Sequence, residues 1–198
     1  PTLYTKVTDQ HGEIVLEYDS APKMAVTEDT ATVMNHLLQT VVYGGNGTGR
    51  GAAGYINNMK IYAKTGTSNN SNDLWFVGGS PYYVASCWCG YDQQQNISNS
   101  AIALKMWGNV MSKIHSGLEA KEFADSTYAM ERYYCTKTGN LATTSCPSKA
   151  VGWYKKSNTP GYCTEHGGTA LGTADEVRKQ ESATSESSAS SAESAQNE

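Results

Sequence analysis

The sequence has no long hydrophobic run and no excess of basic charge. No uninterrupted apolar stretch approaches the ~18 residues of a membrane-spanning helix, and the N-terminus does not resemble a secretion signal. The 198 residues carry 15 Lys and Arg against 19 Asp and Glu, a formal net charge of −4. Nucleic-acid binders normally have a basic face, so we expect no nucleic-acid partner. Because the chain begins at Pro1 rather than Met, we expect a piece of a longer protein, with any membrane anchor outside it.

The acidic excess belongs to the C-terminal end. Six acidic and two basic residues follow Leu171, which leaves 13 of each in the preceding body. The last 18 residues hold seven Ser, four Ala and four Glu, and no large apolar residue. Such a segment cannot bury enough surface to offset the entropy of ordering. We therefore predict a disordered tail over 172–198.

Hydrophobic periodicity predicts an α+β fold for the first part of the chain. Two short apolar runs, 3–7 and 13–17, predict a β-hairpin. Helices are predicted after Thr27 and over about 103–114, where apolar residues recur at helical spacing. Three runs rich in aromatic or β-branched residues predict strands at 60–67, 74–79 and 82–90. This order favours an antiparallel sheet covered by helices.

The region 119–171 differs from what precedes it. Cysteines and turn residues dominate there, and regular periodicity disappears. The sequence therefore divides into a folded part at 1–118, an irregular Cys-bearing extension at 119–171, and the tail. We find no internal repeat.

The glycine-rich loop at 44–51 is a first candidate for chemistry. Residues 47–52 fit the loose G-x-G-x-x-A pattern of dinucleotide sites, which needs a strand before it and a helix after it. Here a predicted helix precedes the loop and a predicted strand follows it. We therefore interpret the loop as a connection and expect no cofactor.

One predicted strand ends in Lys64-Thr65-Gly66-Thr67. Side chains alternate along a strand, so the two threonines face one way while Lys64 and Gly66 face the other. Two hydroxyls on an edge strand can hold a carboxylate by charge-assisted hydrogen bonds. A lysine beside such a site favours deprotonation of a nearby nucleophile. A bare K-T-G is common, however, and a second one stands at 137–139.

The surrounding sequence distinguishes the two tripeptides. A D-x-W-F-x-G strand at 73–78 and a W-x-G-x-D strand end at 88–92 follow the first K-T-G, and a G-T-G at 47–49 precedes it. This series resembles the C-terminal part of the transpeptidase domain of class A penicillin-binding proteins. The likeness is dense over 1–92. It continues more loosely to 166, through segments similar to the C-terminal extension of some Gram-positive members.

The resemblance implies part of a serine β-lactamase/transpeptidase-like domain and a peptidoglycan D,D-transpeptidase. In that family a serine of an S-x-x-K motif attacks the D-alanyl-D-alanine stem peptide and is acylated by β-lactams. Carried onto this sequence, Lys64 is the catalytic K-T-G lysine, and Thr65, Gly66 and Thr67 bind the substrate. The Thr67 amide is then the oxyanion donor. The resemblance also implies a membrane-anchored, extracytoplasmic parent with a glycosyltransferase domain upstream.

Two motifs of the family have no good counterpart here. The S-x-x-K at Ser20–Lys23 contains a proline and precedes the predicted helix, whereas the family's serine begins a helix. The S-x-N at 68–70 follows K-T-G directly, whereas the family places its S-x-N far upstream. We therefore expect the nucleophile in a missing N-terminal part of the same protein, and this chain alone to be inactive.

Three cysteines and a histidine form a separate constellation, C-x10-C-x16-C-x2-H, at Cys135, Cys146, Cys163 and His166. Only the last pair has the close spacing of zinc ligands. The extracytoplasmic location implied by the resemblance favours a disulfide between two of the three cysteines. We therefore predict a disulfide and no metal site. Free thiols and a bound metal are the two alternatives to the disulfide.

The other cysteines and histidines suggest no chemistry. Cys87 and Cys89 lie two apart on one predicted strand and are interpreted as small core residues. His11, His36 and His115 are assigned to a turn and to helix surfaces.

Two other classes of function stay open. A non-catalytic wall-binding or β-lactam-sensing module would keep the sheet without the acylation, and its upstream sequence would lack a glycosyltransferase region. A Cys-rich adhesion or structural module would depend on 135–166, and deletion of 121–198 would abolish its function.

Overall fold

The structure, a computed structural model, describes residues 3–19, 21, 23–180 and 182. The main elements, in chain order, are β1 (Lys6–Thr8), β2 (Ile14–Glu17), α1 (Glu28–Tyr43), β3 (Tyr62–Thr67), β4 (Asp73–Gly79), β5 (Val84–Gly90), α2 (Ile102–Ile114), β6 (Ala129–Cys135) and β7 (Lys149–Lys155). Antiparallel pairing and mixed helix and strand content confirm the predicted α+β class. Within the described ranges, no helix combines the length and apolar character needed to cross a membrane.

The central sheet has the order β3-β4-β5, with β4 in the middle. Side chains alternate along β4, so that Leu74 and Phe76 are buried while Trp75 and Val77 are exposed. This alternation defines an inner face, covered by the core, and an outer face. The three predicted strands are confirmed, with ends within two residues of those expected.

Helix α2 covers the inner face at β4 and β5. Its Trp107 is only 1% exposed and packs edge-on against Phe76, with ring centroids 5.1 Å apart. The Trp107 indole N–H donates to the Ala85 carbonyl at 3.1 Å, which fixes the helix against β5. A Cβ atom on Gly78 would lie 2.9 Å from the Trp107 ring, so glycine is required for this close approach. The predicted second helix is thus confirmed.

Helix α1 begins after Thr27, as predicted, and packs against β3. At its C-terminal end Val42 is buried, and the Tyr43 hydroxyl accepts a hydrogen bond from the Ile61 amide at 3.1 Å. Met34 and Leu37, which belong to the predicted apolar stripe, are about half exposed at 50% and 53%. The described residues therefore cover only part of the apolar stripe of α1.

The extension contains a regular hairpin, contrary to the irregular structure predicted for 119–171. β6 and β7 pair antiparallel through seven residue pairs. Most of their side chains are partly buried on both faces, which removes the alternating pattern by which strands are recognised. The hairpin docks on α1, where the His36 ring stacks on Trp153 at 3.9 Å and Lys155 pairs with Asp29 at 3.7 Å.

The chain remains ordered past Gly172, where the sequence predicted disorder to begin. Residues 174–180 are helical and Ala174 is fully buried. The Arg178 guanidinium pairs with the Glu131 carboxylate at 2.8 Å, tying this helix to β6. The Thr173 amide donates to the Glu176 carboxylate at 2.8 Å and caps the helix, a local contact that the compositional argument for the tail did not consider. The rest of the predicted tail, residue 181 and 183–198, lies outside the described residues.

Candidate functional site

The Lys64-Thr65-Gly66-Thr67 segment lies on the outermost strand of the central sheet. β3 pairs with β4 along one edge, and no described strand pairs with the other. The backbone N–H and C=O groups along that second edge can therefore hydrogen-bond an extended peptide, as edge strands commonly do.

Lys64 is exposed at a surface cleft beside β3. Its ammonium donates to the Thr65 carbonyl at 2.7 Å, which holds the long side chain close to the strand. The cleft has a volume of about 410 Å³ and is lined by Thr40, Val41, Gly44, Asn46, Gly47, Thr48 and Lys64. A cation at the wall of a cleft attracts an anionic group that enters it.

The glycine-rich loop contributes a hydroxyl to the same strand. The Thr48 and Thr65 hydroxyl oxygens are 2.8 Å apart, within hydrogen-bonding distance. The loop reaches β3 because it folds back on α1, where a Cβ atom on Gly47 would lie 2.2 Å from the Val41 carbonyl oxygen. The interpretation of this loop as a plain connection missed Thr48, which only its G-T-G context could have suggested.

A hydrogen-bond network fixes the far end of β3. The Ser68 hydroxyl donates to one Asp73 carboxylate oxygen at 2.9 Å and accepts from the Asp73 amide at 2.8 Å. The Trp88 indole N–H donates to the other carboxylate oxygen at 3.0 Å. These contacts join the K-T-G strand to the D-x-W-F and W-x-G patterns that follow it. Ser68 is thus engaged in a turn, as its position next to K-T-G predicted.

The outer face beside the K-T-G segment is apolar and exposed. Gly66 pairs with Trp75, and a Cβ atom on Gly66 would lie 3.1 Å from the Trp75 Cβ. Trp75, Val77 and Trp88 are each between 42% and 47% exposed on this face. We call Trp75, Val77 and Trp88 the outer apolar face.

The two remaining motif candidates lie elsewhere. The second K-T-G, at 137–139, forms a turn after β6 in which the Gly139 amide donates to the Cys135 carbonyl at 2.8 Å. Ser20 of the S-x-x-K lies outside the described residues, and Lys23 belongs to neither a helix nor a strand.

A buried serine–histidine pair went unpredicted. His115 is 6% exposed, so its assignment to a helix surface was wrong. Its Nε2 lies 2.6 Å from the Ser80 hydroxyl and its Nδ1 lies 2.7 Å from the Met111 carbonyl. Ser80 is equally buried and also accepts from the amides of Tyr82 and Tyr83. Both side chains are satisfied by these contacts, so the pair fixes the end of α2 against the loop before β5.

The constellation in the extension comes together as one cluster. Cys135, Cys146 and Cys163 are buried free thiols, and all ligand atoms of the three cysteines and His166 lie within 4.8 Å of one another. A hydrogen bond from the Thr138 side chain, with others from the Glu165 and His166 amides, lowers the pKa of Cys163 to about 7. Sequence spacing gave only Cys163 and His166 the close spacing of metal ligands. Cys135 and Cys146 are brought to them by β6 and by a later turn.

Comparison with known proteins places the chain among transpeptidases. The family described as penicillin binding protein transpeptidase domain matches residues 1–105. Penicillin-binding protein 1A of Clostridium tetani is 33% identical over 180 residues, which are 85% of this chain and 22% of that protein. Penicillin-binding protein 1A of Aquifex aeolicus is 31% identical over 118 residues, 58% of this chain and 16% of that protein.

A solved structure agrees in fold. The crystal structure of penicillin-binding protein 1A from Haemophilus influenzae superposes with a TM-score of 0.61 at 19% identity, covering 86% of this chain and 30% of that one. The chain spans about a fifth of the length of its C. tetani relative. The C. tetani alignment also runs past the family match into the extension.

Proposed function

This chain belongs to the penicillin-binding protein transpeptidase family, and from that premise we propose that it forms the K-T-G side of a peptidoglycan D,D-transpeptidase site. The observation that carries the proposal is the exposed Lys64 on β3, a strand whose second edge is paired with no strand in the described part of the chain. A stem peptide ending in D-alanyl-D-alanine adds to that edge as an extra strand. β-Lactams occupy the same position and acylate the same nucleophile.

In this proposal the residues of β3 have different roles in binding and catalysis. Lys64 supplies the positive charge beside the reacting centre, and Thr65 and Thr67 bind the terminal carboxylate of the substrate. The Thr48 hydroxyl, 2.8 Å from that of Thr65, holds the Thr65 rotamer. The Thr67 amide donates to the oxyanion, and a donor of this type contributes about 10²–10³ in rate in a well-studied protease.

We further propose that the nucleophile and its base belong to a preceding part of the same protein. The outer apolar face supports this because three large apolar side chains are exposed next to Lys64, where such a part can pack. By family relationship the whole protein is a membrane-anchored, extracytoplasmic cell-wall enzyme that also carries a glycosyltransferase domain. The length of the C. tetani relative, of which this chain covers 22%, leaves room for both.

The test compares Lys64→Ala with Lys137→Ala in the whole protein. Both lysines are exposed members of a K-T-G, so the two changes remove the same charge from the two contexts. We expect Lys64→Ala to lower the second-order acylation rate by a fluorescent penicillin by about 10²–10³, and Lys137→Ala to leave it within about threefold of the parental rate. The assignment is wrong if Lys64→Ala acylates at the parental rate or if Lys137→Ala is the slower variant.

This chain by itself provides a second test. We expect no covalent adduct when it is incubated with penicillin, because no serine beside β3 is placed as a nucleophile in the described residues. Intact-mass measurement checks this. An added mass on any serine, Ser20 included, would overturn the proposal that the nucleophile lies elsewhere. A whole protein that binds penicillin reversibly without an adduct would favour the sensing module instead.

A further inference from the structure

The cluster in the extension brings four potential metal ligands, three sulfur atoms and one imidazole nitrogen, within 4.8 Å of one another. His166 Nδ1 lies 3.2 Å from the Cys163 sulfur and 3.6 Å from the Cys135 sulfur. A tetrahedral zinc ion with Zn–S of about 2.3 Å and Zn–N of about 2.0–2.1 Å places nitrogen and sulfur ligands about 3.5 Å apart. We propose that Cys135, Cys146, Cys163 and His166 bind a structural Zn²⁺ in this extension.

Backbone amides donate hydrogen bonds to two of the sulfur atoms, as is common for thiolates that bind a metal. The amides of Lys137 and Thr138 hydrogen-bond the Cys135 sulfur. The Thr143 amide donates to the Cys146 sulfur at 3.4 Å. Such outer hydrogen bonds orient ligands and stabilise the negative charge that a metal-bound thiolate keeps.

The tight turns that deliver these amides depend on glycine. Gly139, with φ +78°, closes the turn after Cys135, and Gly167, with φ +60°, follows His166. These left-handed conformations strain other residues and suit glycine. They give the second K-T-G a structural explanation, because its backbone wraps the Cys135 sulfur.

The apolar core around these ligands is small. Its core cluster in the described residues consists of Cys135, Ala142, Cys146 and Cys163, with Tyr133 and Leu171 packed against it. So small an apolar core rarely supplies enough stability for a domain of this size, and small domains commonly add a metal or disulfides. A zinc ion at the centre of this cluster adds to the stability of the extension, since metal binding to such sites is coupled to folding.

The charges and the ligand count fit a closed structural site. Three thiolates and one imidazole around Zn²⁺ leave a net charge of −1, and the Lys149 ammonium donates to the Cys146 carbonyl at 2.6 Å, next to that charge. Four protein ligands leave no open position for substrate, as in structural zinc sites. A disulfide between two of the cysteines would leave the third thiol and His166 without a role. The proposed zinc replaces the disulfide that the sequence favoured.

Metal content of the whole 198-residue chain tests the proposal. The chain is purified without reductants or chelators, and zinc is measured by elemental analysis alongside intact mass. We expect about one zinc per chain and a mass with no disulfide. Failure of the reduced chain to bind zinc, or a disulfide among Cys135, Cys146 and Cys163 in the zinc-free chain as isolated, overturns the proposal.

Matched cysteine variants locate the site. Cys146→Ser is expected to weaken zinc binding by more than the roughly 10–100-fold that losing an outer partner costs. Cys87→Ser, which changes a half-buried cysteine on β5, is the control and should bind zinc as the parent does. Equal zinc affinity in Cys146→Ser and Cys87→Ser overturns the assignment.

Cobalt substitution keeps the test valid if Cys146→Ser does not fold. Titration of the unmutated, zinc-free chain with Co²⁺ should produce intense sulfur-to-cobalt charge-transfer absorption and the d–d bands of a tetrahedral ion, and added zinc should abolish both. An octahedral spectrum without charge transfer overturns the proposal. These readouts do not involve β-lactams, so they are independent of the proposed transpeptidase function.

Discussion

Replacing Ser80 with alanine should destabilise the protein by several kilocalories per mole. The Ser80 oxygen contacts the His115 Nε2 at 2.6 Å and accepts from the Tyr82 and Tyr83 amides at 3.1 and 3.2 Å. Leaving a buried polar group unsatisfied costs about 1–3 kcal/mol, and both Ser80 and His115 are 6% exposed. The two amides are only partly buried and recover some of their loss from water. We therefore expect Ser80→Ala to lower the free energy of unfolding by about 2–4 kcal/mol.

Urea denaturation of the chain measures this loss, with Ser86→Ala as the control. Ser86 is exposed on β5, so its replacement should change the free energy of unfolding by no more than about 0.5 kcal/mol. A double-mutant cycle with His115→Ala isolates the pair, and we expect a coupling energy of at least about 1 kcal/mol. Equal effects of Ser80→Ala and Ser86→Ala, or additivity of the Ser80 and His115 changes, would refute this reasoning.

Two further predictions concern the packing of α2 and the docking of the extension. Gly78→Ala should cost about 1–3 kcal/mol of stability because its Cβ would lie 2.9 Å from the Trp107 ring. Gly54→Ala, which meets nothing within 4 Å, should be close to neutral, and similar urea midpoints for both would contradict this. A hydrogen bond from Thr27, with help from the Thr30 amide and Lys155, lowers the pKa of Asp29, so its stabilising effect is present above the ordinary carboxyl pKa and lost as pH falls through the lowered one. Asp29→Asn should therefore lower the urea midpoint at pH ~7 more than at pH ~3, and an equal loss at both pH values would show that its charge does not contribute.

Elements with a single buried face were predictable from sequence. β4 alternates buried and exposed side chains, and α2 repeats its apolar residues at helical spacing. The periodicity of each segment therefore predicts its secondary structure. The position of Thr27 before two acidic residues also marked the start of α1 correctly. In these segments local pattern and tertiary packing agree.

Elements that bury parts of both faces were not predictable in this way. β6 has a fully buried residue only at each end, with five partly buried residues between them, so no period of two exists in its pattern. The helix at 174–180 buries Ala174 and is tied to β6 by the ion pair between Arg178 and Glu131. The β6–β7 pairing and the Arg178–Glu131 ion pair join segments far apart in the chain, and no window of sequence contains both partners. The cap formed by Thr173 and Glu176 is a local T-x-x-E pattern, which the compositional argument for the tail did not use.

The candidate sites show the same limit. The K-T-G strand could be found because the patterns around it are continuous in sequence. Thr48 could not be assigned to it, because the contact with Thr65 depends on how the glycine loop folds back on α1. The four residues of the Cys–His cluster were grouped from sequence, but their convergence on one point was not predicted, since Cys135 and Cys146 reach Cys163 through the pairing of 141–144 with 161–163 and 169–171.

The two K-T-G tripeptides show why a motif has to be judged by the structure that holds it. At β3 the tripeptide is extended, its glycine faces a tryptophan across the strand pair, and its lysine lies at the wall of a cleft. At 137–139 the same three residues form a turn, the glycine has φ +78°, and the amides of Lys137 and Thr138 point at a sulfur. An extended backbone directs its N–H groups sideways to another strand, whereas a tight turn gathers them on one point. The first arrangement leaves an edge to which a further strand can pair, and the second gathers amide groups around a sulfur, so one short sequence adopts two different backbone structures in one chain.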